Sequence, residues 1–516
     1  MEPTEFRKTK PVIRSGVVSR TLILLNIFMA AVYFSWWLVP SHVGNPFLYG
    51  VLVVGEAYHL FMAFTFWYTV WPRQKFSKNR KEFIYAFEPT VDVFITVTGE
   101  PKDVVEATVR AAKQLDYPNH RIYILNDGWA AKKVNWKEAE DVASELSVTC
   151  ITRENGHGAK AGNINNALSQ THGEIVVIFD ADMEVAPDFL QKTIPFFINP
   201  KMGFVQAPQY YRNLDLNEVT GSSWEQQEFF FGAIMEGKDS LNSAFLCGTN
   251  VAIRRTALMD VHGMREDNVA EDFLTSLAIH QKGWQSRYVK EVLAEGLAPE
   301  DLLSYYKQQF RWARGSLEVL LSENLLFKKG LSWAQKIEYL SSALFYTNGL
   351  VVLADSLIPI IFLFTGITPV ASTTSSFALF FIPFIYLVLY TLNRASNGSL
   401  SFRSMALTQS SFLLQVSAFA AALLKEKTKF SVTPKKAQLG NFAYLAYPHI
   451  IYTGISALAI FTALVRDGLT PSVAANSAWS VFNVIMFIPF ISMALSSEPA
   501  AKPELVAPQG SPASIV

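Results

Sequence analysis

Six stretches of this chain are apolar over a length that can cross a bilayer, and they limit its fold more than any other feature. Thr21–His42 contains no Asp, Glu, Lys or Arg, and Phe47–Trp71 follows after a short turn with only Glu56 and His59. Ser341–Gly366 carries the single charge Asp355, and Ser375–Asn393, Tyr444–Val465 and Ser477–Ser497 carry none. A helix of about 20 apolar residues crosses a hydrocarbon core of about 30 Å. A cleaved signal peptide does not fit the first stretch, because no small-residue cleavage site follows Trp37 and a second span comes at once. Met405–Leu424 is also apolar, but Gln409, Ser410, Ser411, Gln415 and Ser417 interrupt it, so it reads as an interfacial helix.

Loop charge sets the orientation. Arg7, Lys8, Lys10, Arg14 and Arg20 precede the first span, and 394–436 is again basic, whereas 41–46 and 367–374 have no Lys or Arg. The positive-inside rule then puts both termini, the long polar interval and the basic segment on the cytoplasmic side of the plasma (inner) membrane. A seventh span would carry Lys425–Lys436 outside. Glu56 and Asp355, inside spans, either face a channel or pair with each other.

Composition narrows the class. Half of the residues (50%) are hydrophobic and 17% are charged, which excludes a disordered chain. Lys+Arg (44) equals Asp+Glu (44), so net charge gives no case for nucleic-acid binding. The cysteines, Cys150 and Cys247, cannot build a disulfide framework.

Between Glu88 and about Asn324 the pattern alternates between strands and helices. Val91–Val97, Arg121–Leu125 and Ile175–Phe179 are apolar runs of strand length, and the last two run into Asn126-Asp127-Gly128 and Asp180-Ala181-Asp182. Strands that deliver carboxylates at their C-terminal ends, between helices, describe a nucleotide-binding doubly wound sheet. GxGxxG and GxxxxGK[ST] are both missing, so a dinucleotide site or a P-loop is not supported.

The spacing suits sugar transfer. Asp180 and Asp182 place two hard oxygen donors on one turn, ligands for Mg²⁺ or Mn²⁺ that would neutralise a departing diphosphate. Asp127 ends an earlier strand, where a base or ribose can be held. Lys160 lies in the turn Gly-His-Gly-Ala-Lys-Ala-Gly-Asn, which lets backbone and an ammonium approach phosphate. Glu271-Asp272 opens a helical run facing the same cleft. Gln308-Gln309-Phe310-Arg311-Trp312 joins a guanidinium for diphosphate to an indole face for a pyranose.

VDVFITVTGEP, ILNDG, HGAKAGNINNAL, DADMEVAPDFL, FVQAPQYYRN, FLCGTNVAIRR, EDFLTSLAIHQKGW and QQFRWARG, in this order, resemble the successive blocks of family 2 processive glycosyltransferases. They are most similar to the catalytic subunit of bacterial cellulose synthase and related β-glucan synthases. The resemblance implies an α/β GT-A-type (Rossmann-like) domain embedded in an α-helical multi-pass membrane domain of about six spans plus interfacial helices. Its expected parts are 1–72 with two spans, the catalytic domain 73–335, two spans in 336–393, an interfacial helix and gating loop in 394–442, and 443–516 with two spans and a short tail.

The resemblance also implies roles. Thr98, Glu100, Asp127, Lys160, Asp180, Gln308 and Arg311 would bind the donor, and Asp180 and Asp182 would hold the metal. Asp272 would be the general base of a single inverting displacement. Glu271 and Trp312 would contact the acceptor, as would Cys247, unless it is simply a small buried residue. Phe430, Val432, Thr433 and Lys435, in an FxVTxK element, would form a gating loop. Expected partners are UDP-glucose, the growing polysaccharide, the bilayer and accessory export subunits.

Departures from the family pattern bear on the linkage formed. Asn126 stands where Asp is usual and Ala270 where Thr is usual. Only two spans precede the domain, and about nineteen residues follow the last span, too few for a PilZ domain with an RxxxR switch. The expected activity is a processive inverting β-glucan synthase forming β-1,4, β-1,3 or mixed bonds. The alternatives are a hyaluronan- or chitin-like synthase, a lipid-directed glycosyltransferase and a non-catalytic export channel. The FxVTxK and Arg-Trp-Ala-Arg-Gly elements favour glucan, and the intact carboxylates argue against a dead channel.

Overall fold

The computed structural model describes residues 11–73, 88–425 and 442–496. Its centre is a seven-stranded sheet in the order β3-β2-β1-β4-β8-β6-β9. The strands are β1 Val91–Val97, β2 His120–Asn126, β3 Thr149–Thr152, β4 Ile175–Asp180, β6 Met202–Gln206, β8 Val251–Arg254 and β9 Gln285–Tyr288. β1 to β4 are parallel, and β8 runs antiparallel to both β4 and β6. β1 is buried along its whole length, as expected of a strand covered on both faces. Val91, Ile95 and Val177 pack below helices Lys102–Ala112 and Glu138–Glu145, while Phe94, Val176 and Ile178 pack below helix Ala159–Leu168.

Strand order reverses between β1 and β4, and ligands bind at such a switch point, outside the C-terminal strand ends. The register pairs Thr96 with Asp180 and Val97 with Asn126, which brings Asp127 and Asp180 to one edge. A smaller sheet, β5-β10-β7 (Glu184–Val185, Ala294–Gly296, Tyr210–Tyr211), covers that edge.

Among the described residues seven helical runs are long and apolar enough to cross a membrane: Arg20–Trp37, Pro46–Thr69, Trp333–Thr365, Thr374–Ser396, Phe402–Leu423, Ala443–Asp467 and Pro471–Leu495. Six of them overlap the six stretches read from the sequence, although the first helix stops at Trp37, five residues short of the expected His42. The seventh is the segment expected to lie along the interface. It is broken at Ser411 into Phe402–Ser410 and Phe412–Leu423, and it is the most buried of the seven, with 56% of its window inside the protein.

Buried charge joins the domain of the seven-stranded sheet to these helices. Lys238, beside the domain core, pairs with Glu338 of helix Trp333–Leu344 at 2.7 Å, and Thr69 at the end of the second membrane helix donates to the same carboxylate at 2.7 Å. Both charges are 1% exposed, and loss of one partner from such a pair costs about 3–5 kcal/mol. Arg14, ahead of the first membrane helix, pairs with Glu228 of the domain at 2.8 Å.

Candidate active site

Four side chains from three chain segments meet at the switch-point edge. Lys160, in the first turn of helix Ala159–Leu168, reaches Asp180 at the end of β4 and donates to the Gly248 carbonyl at 2.9 Å. The Asp180 N–H donates to Thr249 Oγ1 at 2.9 Å, which fixes the strand end. Gly248 has φ +80°, and a Cβ there would lie 3.2 Å from Asp272 Oδ2 and 3.6 Å from Lys160 Nζ. The positive φ calls for glycine here, and a side chain would also crowd the Asp272 carboxylate.

Glu271 and Asp272 begin helix Glu271–Gln281, and Asp272 Oδ1 accepts the Phe273 N–H at 2.7 Å. Burial pushes Asp272 above its ordinary range. Burial and the neighbouring Asp272 charge push Glu271 up to about 7. Burial opposes the Lys160 charge, but Asp180 and Glu271 outweigh it, and the ammonium is held above its usual value. Burial and the nearby Asp272 likewise raise the Cys247 thiol.

Helix Leu302–Ser322 supplies the opposite wall. Asp301 caps it by accepting the Ser304 N–H at 2.8 Å. Gln308, Arg311 and Trp312 fall on one helical face. Arg311 acts electrostatically on Glu271, Asp272 and the Tyr211 hydroxyl. The helix is seated by Gly315, where a Cβ would come within 2.7 Å of the Ala270 Cβ. Ala270 is the N-cap of the Asp272 helix and makes no side-chain cap hydrogen bond, as expected of alanine. Tyr211 of β7 sits beside Gln308, and among the described residues neither Tyr211 Oη nor Gln308 Oε1 has a hydrogen-bond partner of good geometry.

Asp182 is 1% exposed, and its Oδ2 accepts the Leu297 N–H at 3.1 Å. No group of three or more His, Cys, Asp or Glu gathers at metal-binding spacing among the described residues. Asp180 and Asp182 offer carboxylate oxygens, the donor type that Mg²⁺ takes, with Asp180 Oδ1 accepting from Lys160.

Asp127 lies apart from this group and is held by a residue that no sequence pattern singled out. Arg153 donates to both carboxylate oxygens, Nε to Oδ1 at 2.5 Å and Nη2 to Oδ2 at 2.9 Å. It also donates to the carbonyls of His157 at 2.7 Å and Ala159 at 2.5 Å, in the turn that carries Lys160. A Cβ on Gly162 would lie 2.8 Å from Arg153 Nη1, so the glycine makes room for the guanidinium. Thr98 and Glu100 follow β1, with the Thr98 N–H donating to Glu100 Oε2 at 2.5 Å. Phe430, Val432, Thr433 and Lys435 lie outside the described residues.

Residues 89–315 match the family model "Glycosyltransferase like family 2", and residues 263–401 match "Cellulose synthase". Residues 89–315 thus form a family 2 glycosyltransferase domain, in a chain related to bacterial cellulose synthase catalytic subunits. Cellulose synthase 2 of Novacetimonas hansenii is 31% identical over 504 residues, which is 92% of this chain and 31% of that protein. The cellulose synthase catalytic subunit [UDP-forming] of Pseudomonas fluorescens (strain SBW25) is 29% identical over 514 residues, covering 92% of this chain and 66% of its own length. The chain thus spans about a third of the length of the first of these relatives. A mannosyltransferase from Pyrobaculum calidifontis in complex with GDP-Man and Mn²⁺ shares the fold, with a TM-score of 0.52 at 16% identity over 74% of this chain and 100% of that one.

Proposed function

We propose that this glycosyltransferase is a processive, inverting β-glucan synthase that extends a polysaccharide from UDP-glucose and passes it through its own membrane helices. The observation that carries the reading is the meeting of Lys160, Asp180 and Asp272 around Gly248, faced by Gln308, Arg311 and Trp312. The UDP-forming description of its relatives supports the donor. Asp127 and Thr98 hold the uridine end, and Lys160 and Arg311 meet the diphosphate. Mg²⁺ or Mn²⁺ at Asp180 and Asp182 would add Lewis-acid neutralisation of that leaving group. Trp312 stacks on the terminal acceptor sugar, next to Cys247 and Glu271.

Asp272 takes the proton of the acceptor hydroxyl as that oxygen bonds to the anomeric carbon. The bond to the diphosphate breaks, and UDP leaves with its electron pair. One displacement on one carboxylate inverts the configuration. Removal of the polymer is supported by polar atoms inside the membrane bundle. Trp37 Nε1, Ser356 Oγ and Ser480 Oγ are buried there without hydrogen-bond partners among the described residues, and Glu56 and Asp355 lie in the same bundle. A polyhydroxyl chain supplies partners that lipid cannot. Six spans, with both termini and the segment holding Phe430–Lys435 cytoplasmic, fit this path. The test is to incubate membranes carrying the protein with radiolabelled UDP-glucose. Ethanol-insoluble product that a β-glucanase removes supports the reading, and label confined to lipid or to a glucanase-resistant polymer overturns it.

A further inference from the structure

The cytoplasmic ends of the first two membrane helices form a pocket that the transfer reaction does not use. A cavity of about 600 Å³ is lined by Arg20, Tyr68, Trp71, Pro72 and Arg73. Arg20 opens the first membrane helix, and Tyr68 lies in the last turn of the second. The Arg20 guanidinium lies over the Trp71 ring at 5.9 Å, and that of Arg73 lies over the Tyr68 ring at 4.8 Å. Stacking of this kind holds a guanidinium plane in place while leaving N–H edges for an anion. Both arginines donate to neutral acceptors: Arg20 to the Pro72 carbonyl at 3.3 Å, and Arg73 through Nη1 to the carbonyls of Thr69 and Trp71 at 3.3 and 3.4 Å. Among the described residues no carboxylate pairs with either.

The pocket sits where a headgroup would sit. The second membrane helix ends here and the chain continues into the catalytic domain, so this is the domain side of the bilayer. Arg73 also reaches Ser240 of that domain at 3.5 Å. Below the pocket, Leu24 and Phe28 follow Arg20 at four-residue steps along one helical face and are 56% and 62% exposed. Phe64, one turn before Tyr68, is 41% exposed. A cationic, aromatic pocket above an apolar stripe matches a phosphate joined to acyl chains, and free phosphate has no use for the stripe. In sequence, 73–81 holds Arg73, Lys75, Lys78, Arg80 and Lys81 with no acidic residue, the juxtamembrane charge pattern that draws anionic lipid.

We infer that Arg20, Arg73, Trp71 and Tyr68 bind the phosphate of an anionic phospholipid of the cytoplasmic leaflet. The full-length protein in nanodiscs of phosphatidylcholine with a minority of phosphatidylglycerol, released into detergent and weighed by native mass spectrometry, tests this. Wild-type protein should retain phosphatidylglycerol in preference to phosphatidylcholine. Arg20→Gln/Arg73→Gln should retain about 30-fold less, since each surface cation near the leaflet contributes about fivefold. Arg466→Gln, at the opposite end of the bundle, should retain it as wild type does. If the double variant does not fold, raising the salt on wild type must release the lipid. Equal retention by the double variant, retention without headgroup preference, or release by millimolar inorganic phosphate would each overturn the inference.

Discussion

Replacing Arg153 by Met should damage two things that a reversal of charge alone would not separate. Arg153 and Asp127 are 9% and 6% exposed, so the substitution leaves a carboxylate buried without its counter-charge. Losing one partner of a buried pair costs about 3–5 kcal/mol. The carbonyls of His157 and Ala159 lose their donors as well, so the turn that positions Lys160 loosens. A shift of about 1 Å at a reacting group costs about 10²-fold in rate, which sets the expected fall in kcat/KM for UDP-glucose. Arg153→Lys keeps the charge but not the two-pronged geometry and should recover part of both losses. Asp127→Asn/Arg153→Met removes the stranded charge, so stability should return while UDP affinity stays low. Denaturant unfolding of the purified protein and calorimetric titration with UDP separate the two effects. Stability and kcat/KM within about twofold of wild type in Arg153→Met would refute the reasoning.

Three further outcomes follow from the site. Chelation with excess EDTA should abolish turnover, as should Asp182→Asn in folded protein, and full activity in EDTA would remove Asp180 and Asp182 from metal binding. Asp272→Asn keeps the shape but takes no proton, so turnover should fall by about 10²-fold or more while UDP still binds; equal loss of UDP affinity would make Asp272 a donor contact. The base works ionised, and burial holds Asp272 up beside a Glu271 that is pushed up to about 7, so kcat/KM should rise with pH through a limb above the ordinary carboxylate range. The Asp272 charge is what helps push Glu271 up, so Asp272→Asn should let Glu271 titrate lower, and an unmoved Glu271 would mean the two do not titrate together.

The strands that carry this site were legible because burial on both faces writes them as unbroken apolar runs. β1 occupies the expected Val91–Val97, β2 gains one residue at each end, and β4 extends through Asp180, which pairs with Thr96 of β1. The reversed strand β8 and the two- and three-residue strands β5, β7 and β10 are too short for any periodic signal. The membrane helices were legible from length and charge; the polar interruption at Gln409–Ser411 was legible too, but not that it breaks the run into two helices at Ser411. Arg153 and Lys238 escaped for another reason. Each is a lone cation whose partner, Asp127 or Glu338, lies 26 or 100 positions away. Tyr211 lay within the FVQAPQYYRN block, yet only the fold puts it beside Gln308.

Synthesis coupled to passage through the bundle is tested most directly in proteoliposomes whose catalytic domains face outward. UDP-glucose added outside should yield radiolabelled polymer that resists an added β-glucanase until detergent opens the vesicles. Methylation analysis of that polymer then reads the linkage, with 3-linked glucose that declines in Ala270→Thr tying the acceptor geometry to the uncapped start of the Asp272 helix. Polymer digested completely before detergent, or no polymer from a folded protein, would contradict the account.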